Sequence, residues 1–407
     1  MGFGSRPGLI CSWAAVLAAA TLGARQVAAD WPMFRHDPAR SGWAESPTPE
    51  LKEIAWSADL GGPVDCSPAV LGGVVFAATS VGTVHALEAS TGQPRWRAVV
   101  DAPIVSSPCV DGERVYFGCG DGYIYAVSAA SGQPVWKART GRAVIAPPLL
   151  IDGKVICGST DGRLYALAAE TGEVVWRTEA GGQIHAGAAA SGDMVVYGDW
   201  DHQVRCVRLS DGTPVWSKPI RPTGAYRADG PILACPVIAG EVVVIGSLAP
   251  TALTPHDSLN IHTLDLATGK RQWGAPGANP WQTDKEHLMS VSTCPTVIGD
   301  QIWFLTMEGY GNWSAVLRSS ALATGARGFA STALGGRVSF APSDCSAAVA
   351  NGVLHLADYS GALSQFDTTT KQPLSSLALG ARTVSSPAIS DGRAYIGLTD
   401  GRLVCIR

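Results

Sequence analysis

The chain has 407 residues, a formal net charge of −4 at pH 7 and only 16% charged residues. No basic run is present that could follow a phosphate backbone, so we expect no nucleic acid partner. The 47 glycines and 26 prolines suit many short strands joined by tight turns.

The first 29 residues have the features of a secretory signal peptide. Arg6 supplies the positive charge, residues 9–22 are apolar or small, and Val27-Ala28-Ala29 offers a small-residue cleavage site before Asp30. The apolar stretch is too short to span a bilayer. We therefore predict an exported protein of the periplasm or cell envelope, with no transmembrane span in the mature chain.

Residues 30–50 form a lead-in segment, and residues 51–407 form a repeat domain in which tryptophans recur every 40 residues. The regularly spaced tryptophans are Trp56, Trp96, Trp136, Trp176 and Trp216, and Trp273 holds the same place in a longer repeat. A fixed period of this length marks a repeat architecture. A buried tryptophan removes about 150–250 Å² from water. We therefore predict that these residues have a structural role and do not contact a ligand.

One repeat contains four strand signals. Residues 107–110, 115–117 and 123–127 are short apolar or alternating segments, and Ser131-Gly132 turns the chain into a fourth segment that carries Trp136. Asp-Gly and Ser-Gly dipeptides supply the positive φ that tight hairpins need. Four antiparallel strands in about 40 residues are typical of a propeller blade. No apolar period of about 3.6 residues supports a helical solenoid.

Eight inner strands can be counted. They start at Ser67, Ser107, Pro147, Gly187, Cys235, Cys294, Ser346 and Ser386. The eighth repeat ends after its third strand, while residues 51–57 carry Trp56 without a repeat ahead of them. We therefore predict an all-β, eight-bladed propeller of four-stranded antiparallel blades. Residues 51–57 would complete the last blade and close the ring.

The phrase from Tyr165 to Trp176 resembles the tryptophan-docking motif of the quinoprotein-like, or PQQ-repeat, eight-bladed propellers, and Trp31-Pro32-Met33-Phe34-Arg35 resembles their lead-in. The resemblance covers residues 31–407. It implies either of two functions. One is a dehydrogenase that holds pyrroloquinoline quinone and Ca²⁺ at the channel mouth, and the other is a monomeric periplasmic scaffold of the BamB-like kind that binds other envelope proteins.

The sequence departs from both patterns. No Cys-Cys pair and no Cys-x-x-Cys-His haem site is present, which argues against a complete quinone dehydrogenase. Cys11 precedes the apolar run of the signal peptide, so the lipid anchor typical of BamB-like proteins is not indicated either. We favour a non-enzymatic scaffold without a cofactor. The alternatives are a dehydrogenase-like enzyme with pyrroloquinoline quinone and Ca²⁺, and a propeller that binds a glycan or another small ligand.

The regular spacing fails between Trp216 and Ser346. Trp96 is 11 positions before Ser107, whereas Trp216 is 19 positions before Cys235. Five such excesses occur, each between an outer strand and the next inner strand or between a second and a third strand. Both kinds of connection leave an up-and-down blade on the same side. We therefore predict that one face is enlarged over blades four to seven.

The candidate binding residues lie on this face. Those on the lengthened connections are Tyr226, Arg227, Asp229, Trp281, His287, Tyr310 and Trp313. Those at the channel rim are Asp65, His185 and Asp344, with Trp200 beside them. Exposed aromatic and arginine side chains suit a protein interface, and polar rim groups suit a small molecule or cation. The alternatives are self-packed connections and a water-filled rim. No catalytic set can be assembled.

Ten cysteines are present, one of them within the predicted signal peptide, so an odd number stays in the mature chain. Their spacings match no zinc motif, and no metal site is predicted. Cys157, Cys206 and Cys405 fall at strand positions and are interpreted as small buried residues. Cys235 and Cys294 share one position in adjacent blades, which gives the hypothesis of a disulfide in an oxidising compartment. The outward splay of neighbouring strands can make that distance too long.

Deletion of residues 51–57 is expected to open the ring. The third strand of the last blade would then expose an unpaired edge, and the thermal unfolding midpoint should fall. Calorimetry of the deletion variant beside the full mature chain measures this difference. A truncated protein with an unchanged midpoint would contradict the predicted closure.

Overall fold

The computed structural model describes residues 30–220, 232–247, 261–273, 293–308, 314–331 and 345–407. The predicted signal peptide lies outside this part of the chain. The regular secondary structure of the described residues consists of strands. None of these residues belongs to a helix long and apolar enough to cross a bilayer.

Two strands precede the first blade, β1 (Trp43–Ala44) and β2 (Ile54–Asp59). Blades 1 to 4 follow in chain order, each with an inner, a second, a third and an outer strand. Blade 1 consists of β3 (Ala69–Leu71), β4 (Val74–Thr79), β5 (Thr83–Glu88) and β6 (Pro94–Val99). Blade 2 consists of β7 (Cys109–Val110), β8 (Arg114–Gly118), β9 (Tyr123–Ser128) and β10 (Pro134–Arg139). Blade 3 consists of β11 (Leu149–Ile151), β12 (Lys154–Gly158), β13 (Arg163–Ala168) and β14 (Val174–Glu179). Blade 4 consists of β15 (Ala189–Ser191), β16 (Met194–Gly198), β17 (Gln203–Arg208) and β18 (Pro214–Pro219).

Blades 5 to 7 repeat the order, and blade 8 contributes three strands. Blade 5 consists of β19 (Val237–Ala239), β20 (Val242–Gly246), β21 (Ile261–Asp265) and β22 (Arg271–Trp273). Blade 6 consists of β23 (Thr296–Ile298), β24 (Gln301–Glu308), β25 (Ser314–Ala321) and β26 (Arg327–Ala330). Blade 7 consists of β27 (Ala348–Ala350), β28 (Val353–Ala357), β29 (Ala362–Asp367) and β30 (Pro373–Ala378). Blade 8 contains β31 (Ala388–Ser390), β32 (Arg393–Gly397) and β33 (Arg402–Ile406).

The predicted ring closure is confirmed. Strand β2 pairs antiparallel with β33, from Ile54 opposite Ile406 to Asp59 opposite Arg402, and supplies the outer strand of blade 8. The pairing strand begins and ends slightly later than the predicted span 51–57. Its backbone is extended only after Leu51, which has a positive φ of 51°.

In blade 6, the extra residues lengthen the hairpin itself. Strands β24 and β25 each have eight residues and pair continuously from Gln301 opposite Ala321 to Glu308 opposite Ser314. The sequence predicted a longer connection between shorter strands. The excess is therefore partly taken up by backbone hydrogen bonding.

The apolar core lies between adjacent blades. One cluster brings Val75 and Leu87 of blade 1 against Tyr395 and Leu403 of blade 8. The cysteines of the described residues are all buried free thiols. This agrees with their interpretation as small apolar side chains at strand positions.

The tryptophans join each blade to the next one. Each indole Nε1 donates a hydrogen bond to a carbonyl in the third-to-outer turn of the following blade. The pairs are Trp56 to Ala89 (2.9 Å), Trp96 to Ala129 (2.8 Å), Trp136 to Ala169 (2.9 Å), Trp176 to Leu209 (2.9 Å) and Trp216 to Leu266 (2.8 Å). These five residues therefore form contacts between neighbouring blades. The structure does not describe the side chain of Trp273.

A glycine in the same turn receives each indole ring. A Cβ atom at Gly92, Gly132, Gly172, Gly212 or Gly269 would stand 2.5–2.7 Å from a ring carbon of the docked tryptophan. All five glycines also have positive φ, between 65° and 74°. Only glycine satisfies both requirements, because any other residue would clash with the ring and strain the turn.

This docking explains where the tryptophan series stops. Blade 7 has Lys371, with a φ of 63°, where blade 1 has Gly92, so a Cβ occupies the space of an indole. The preceding outer strand accordingly carries the smaller Phe329, which packs on Trp303 with ring centroids 5.7 Å apart. Ser375 follows on the next outer strand. Strands β33 and β2 of blade 8 come from distant parts of the sequence, so no hairpin turn joins them to receive a tryptophan there.

The glycine requirement can be tested with two alanine substitutions. Gly153→Ala places a methyl group at a φ of 67° with no atom within 4 Å, and should cost about 1–2 kcal/mol from backbone strain alone. Gly132→Ala has nearly the same φ, but its methyl group would clash with Trp96, which should add about 1–3 kcal/mol. Urea titration of both variants measures the difference. Equal losses of stability would show that the close approach of the ring is unimportant.

Candidate functional site

The propeller has two unlike faces. The turns between inner and second strands, and between third and outer strands, form one side, which we call the turn face. The connections between second and third strands, and between one blade and the next, form the other side, the loop face. The described strands before and after the five lengthened connections end and begin at the loop face. This face is therefore the candidate binding surface.

Three of the candidate residues lie in the described part of the chain, namely Asp65, His185 and Trp200. The others lie outside it. They are Tyr226, Arg227, Asp229, Trp281, His287, Tyr310, Trp313 and Asp344.

His185 and Trp200 meet on the loop face of blade 4. Their ring centroids are 4.1 Å apart, and Trp200 keeps 38% of its surface exposed. The backbone N–H of Trp200 donates to the backbone carbonyl of Gln183 at 3.0 Å. The Gln183 side chain forms a hydrogen bond with Nε2 of His185 at 2.9 Å. Burial lowers the pKa of His185 to about 4, so its imidazole is neutral at pH 7. The contacts with His185 and Gln183 therefore hold the loop that carries the exposed indole.

Asp199 holds the backbone of this loop through its buried carboxylate. It is fully buried, and its carboxylate accepts hydrogen bonds from the backbone N–H groups of Asp201 (2.9 Å) and Gln203 (3.0 Å). Arg205 forms a 2.8 Å ion pair with it. A carboxylate with three such donors fixes a turn in one conformation. The exposed Trp200 therefore sits on a rigid support, which reduces the entropy lost when a partner binds it.

Asp65 stands apart from this pair, on the rim of blade 1. Burial raises the pKa of its carboxyl group, while a hydrogen bond with the Ser80 hydroxyl opposes the shift. The corresponding rim positions of the neighbouring blades 2 and 8 are Val105 and Val384. The structure therefore brings together only two of the three described candidates.

Blade 7 has an equivalent aromatic residue that the sequence did not predict. Tyr359 follows Asp358 at the end of a second strand, as Trp200 follows Asp199. The Arg382 guanidinium lies over the Tyr359 ring, 5.3 Å from its centroid. An aspartate followed by an aromatic residue at this blade position was the signal that could have revealed it.

Two positions before each inner strand lies one member of a ring of eight residues around the axis, which we call the channel ring. In six of its eight steps, a backbone N–H donates to the side chain of the next ring residue. The steps are Gly187 to Cys235 (3.0 Å), Cys235 to Cys294 (3.1 Å), Cys294 to Ser346 (3.0 Å), Ser346 to Ser386 (2.8 Å), Ser386 to Ser67 (2.9 Å) and Ser67 to Ser107 (2.9 Å). The hydrogen bonds from Ser107 to Pro147 and from Pro147 to Gly187 are missing, because Pro147 has neither a polar side chain nor an N–H.

The lead-in segment crosses the centre of the propeller, which the sequence did not predict. It forms backbone hydrogen bonds with the inner strands of five blades in turn. The pairs are Trp31 with Val70, Pro32 with Val110, Pro38 with Ala190, Ala39 with Ile238 and Gly42 with Val349. These partners follow the channel ring residues along each inner strand, on the side of the turn face. We call residues 31–49 the plug, because they close the channel from that side.

Two buried arginines of the plug point to the channel ring. Arg40 donates to the carbonyls of Ala188 (2.9 Å), Pro147 (3.2 Å) and Pro148 (2.9 Å) and is fully buried. A Cβ at Gly187 would come within 3.2 Å of the Arg40 guanidinium. Arg40 therefore fills the gap that the proline and the glycine leave in the channel ring.

Arg35 occupies the other side of the channel. Its guanidinium donates to the Pro295 carbonyl (2.6 Å), to the Thr296 hydroxyl (2.7 Å) and to the Ala347 carbonyl. Burial lowers the pKa of Arg35, and Cys294 opposes that shift. Arg35, His36 and Arg40 all have positive φ, between 60° and 75°. Such a strained backbone persists only where surrounding contacts determine it.

The hypothesis of a Cys235–Cys294 disulfide concerns residues beneath the plug. The structure has both as free thiols joined by a hydrogen bond, and Phe34 packs on them. Burial raises the pKa of Cys294, but the hydrogen bond with Cys235 and the charge of Arg35 lower it by more, so the net shift is downward. The two residues therefore link blades 5 and 6 through hydrogen bonds in this structure.

The quinoprotein resemblance raises the question of a Ca²⁺ ion, which takes six to eight oxygen ligands. Within the described part of the chain, no three His, Cys, Asp or Glu side chains come close enough to hold a metal ion. Asp65 is flanked at the rim by Val105 and Val384. The described rim does not fit a calcium–quinone pair.

Comparisons with known proteins agree with this architecture. The chain is similar to BamB from Moraxella catarrhalis, with a TM-score of 0.65 and 17% identity over 87% of this chain and 96% of that one. It is also similar to the quinohemoprotein alcohol dehydrogenase from Comamonas testosteroni, with a TM-score of 0.70 and 15% identity over 92% of this chain and 80% of that one. A europium-containing methanol dehydrogenase has a TM-score of 0.70 and 14% identity, over 92% and 91%. At these identities, the likeness concerns the fold alone.

No curated protein sequence matches the chain. A family model described as "Outer membrane protein assembly factor BamB" matches residues 49–143 and 120–327. These two matches overlap and together cover more than half of the sequence. The chain therefore belongs to this BamB family of eight-bladed propellers.

Proposed function

We propose that the protein is exported to the periplasm or cell envelope, where it acts as a monomeric scaffold that binds other envelope proteins through its loop face. It works there without a bound quinone or metal ion. The family supports a role in envelope assembly, since the matching model describes an outer membrane assembly factor.

The unequal faces of the ring are the observation that carries this proposal. The plug closes the channel on the turn face, and the lengthened connections all leave from the loop face. Recognition groups concentrate on loops held by a rigid scaffold. Trp200, held by Asp199 and His185, has the exposure and the support of an interface anchor.

A photoreactive amino acid at Trp200 should crosslink envelope proteins in living cells. The matched control is the same amino acid at Glu170, an exposed position in a turn of the turn face. We expect specific crosslinks from position 200 only, identified by mass spectrometry. The purified partner should then bind Trp200→Ala about tenfold or more weakly, because an aromatic anchor contributes about 2 kcal/mol or more.

Equal crosslinking from both positions, or none from either, would contradict the assignment of the loop face. Titration with pyrroloquinoline quinone and Ca²⁺ tests the competing enzymatic function. Tight binding together with dye reduction in the presence of alcohols or sugars would replace the scaffold proposal by an oxidoreductase.

Export itself has a direct test. The protein isolated from the periplasmic or envelope fraction should begin at Asp30, because the Val27-Ala28-Ala29 site precedes it. N-terminal sequencing of the fractionated protein reads this end. A protein that keeps residues 1–29 and stays in the cytoplasm would refute the proposed location.

A further inference from the structure

We propose that the turn-face side of the channel is a peptide-binding site, and that its ligand is the chain's own plug, residues 31–49. The site recognises an extended segment that carries two arginines five positions apart. The plug is thus a tethered ligand, distinct from the strand β2 that closes the ring. This proposal is independent of the function proposed for the loop face.

The plug and strand β2 are bound in different ways. Strand β2 is a full member of the blade 8 sheet, with five residue pairs opposite β33. Apart from the two-residue strand β1, parallel to β27, the plug bonds to the backbone of four other inner strands, through two hydrogen bonds between Trp31 and Val70 and one hydrogen bond at each of the other three. The ring sheet is therefore complete without the plug, as expected for a bound peptide.

The fit at Arg40 is specific. Six steps of the channel ring are closed by the ring's own hydrogen bonds, and the two open steps adjoin Pro147. Arg40 enters there and donates to the carbonyls of Pro147 and Pro148, in space that any side chain at Gly187 would restrict. Arg40 of the plug therefore fits the gap in the channel ring, as a ligand side chain fits a recognition pocket.

The remaining contacts select the same class of ligand. The described acceptors that the ring offers to Arg35 and Arg40 are backbone carbonyls and one hydroxyl, and a guanidinium can only donate. Phe34 fills a buried site lined by Ala186, Cys235 and Cys294. An apolar ring between two positively charged donors is therefore what this site binds.

The plug leaves the channel beside blade 7, where the outer strand lacks a tryptophan. Thr48 donates to the Ala350 carbonyl at 2.9 Å. The Gln365 amide donates to the Pro49 carbonyl at 2.5 Å and to His355 at 2.9 Å. Beyond Pro49 the chain is exposed at Glu50 before strand β2 begins. A cut between Glu50 and Leu51 therefore separates the plug from the ring at an exposed residue, where the surface ion pair of Glu50 with Lys52 spans the cut.

The test uses the full mature chain with a protease recognition sequence inserted between Glu50 and Leu51. After cleavage under native conditions, size exclusion and mass spectrometry show whether the plug fragment stays with the ring. We expect it to co-elute with the ring. A labelled synthetic peptide with the sequence of residues 30–50 should exchange into the cleaved protein.

Peptide variants then test recognition on one unchanged ring, so folding of a mutant ring is not at issue. A peptide carrying Arg40→Met should bind about tenfold or more weakly than the native peptide, because the channel-ring carbonyls lose their donors. The matched control carries Glu45→Gln, a change at an exposed position of the segment, and should bind like the native peptide.

Three results would overturn the proposal. The plug could dissociate at once while the ring keeps its thermal midpoint, which would show that no binding site holds it. The cleaved protein could unfold as the fragment leaves, which would make the plug an inseparable part of the core. Equal binding of the native and Arg40→Met peptides would show that the gap at Pro147 does not recognise the arginine.

Discussion

The docking of an indole ring on a glycine turn of the next blade is the interaction on which the propeller depends. Blades diverge as they extend from the axis, so their outer strands need a large side chain to fill the widening space. Trp136 fills it in one direction only, from the outer strand of blade 2 to the turn at Gly172 in blade 3. At the five interfaces with a docked indole, each blade therefore positions the next blade through the same contact.

The same contact explains the irregular part of the ring. Where Lys371 replaces the glycine, a tryptophan no longer fits, and Phe329 takes its place. Blade 8 has no hairpin turn to receive an indole, and Ser375 occupies the preceding position. Gln365, paired with Ser375, binds the departing plug there instead. The lead-in thus stabilises the part of the ring that the tryptophan series leaves without docking.

The plug also makes the two faces structurally unequal. Arg35 and Arg40 hold it against the channel ring from the turn face, so the plug covers the axis on that side. Trp200 and Tyr359 occupy the same position in blades 4 and 7 on the loop face, where Trp200 packs on the His185 ring and Tyr359 on the Arg382 guanidinium. Each follows an aspartate whose carboxylate accepts backbone hydrogen bonds from the same loop.

Periodicity in the sequence by itself determined the blade count, the four strands of each blade, the structural role of the tryptophans and the closure by the strand at Trp56. These features follow from local turn residues and from a spacing that repeats. The sequence also placed Trp200 and His185 on one face, since strand order alone assigns a connection to a side. Only the tertiary structure decided that Arg35 and Arg40 lie in the channel, that Tyr359 pairs with Arg382, and that Arg40 fills the gap beside Pro147. The lead-in has no repeat and no period, and its conformation arises from contacts with inner strands distributed along the chain, from Val70 to Val349.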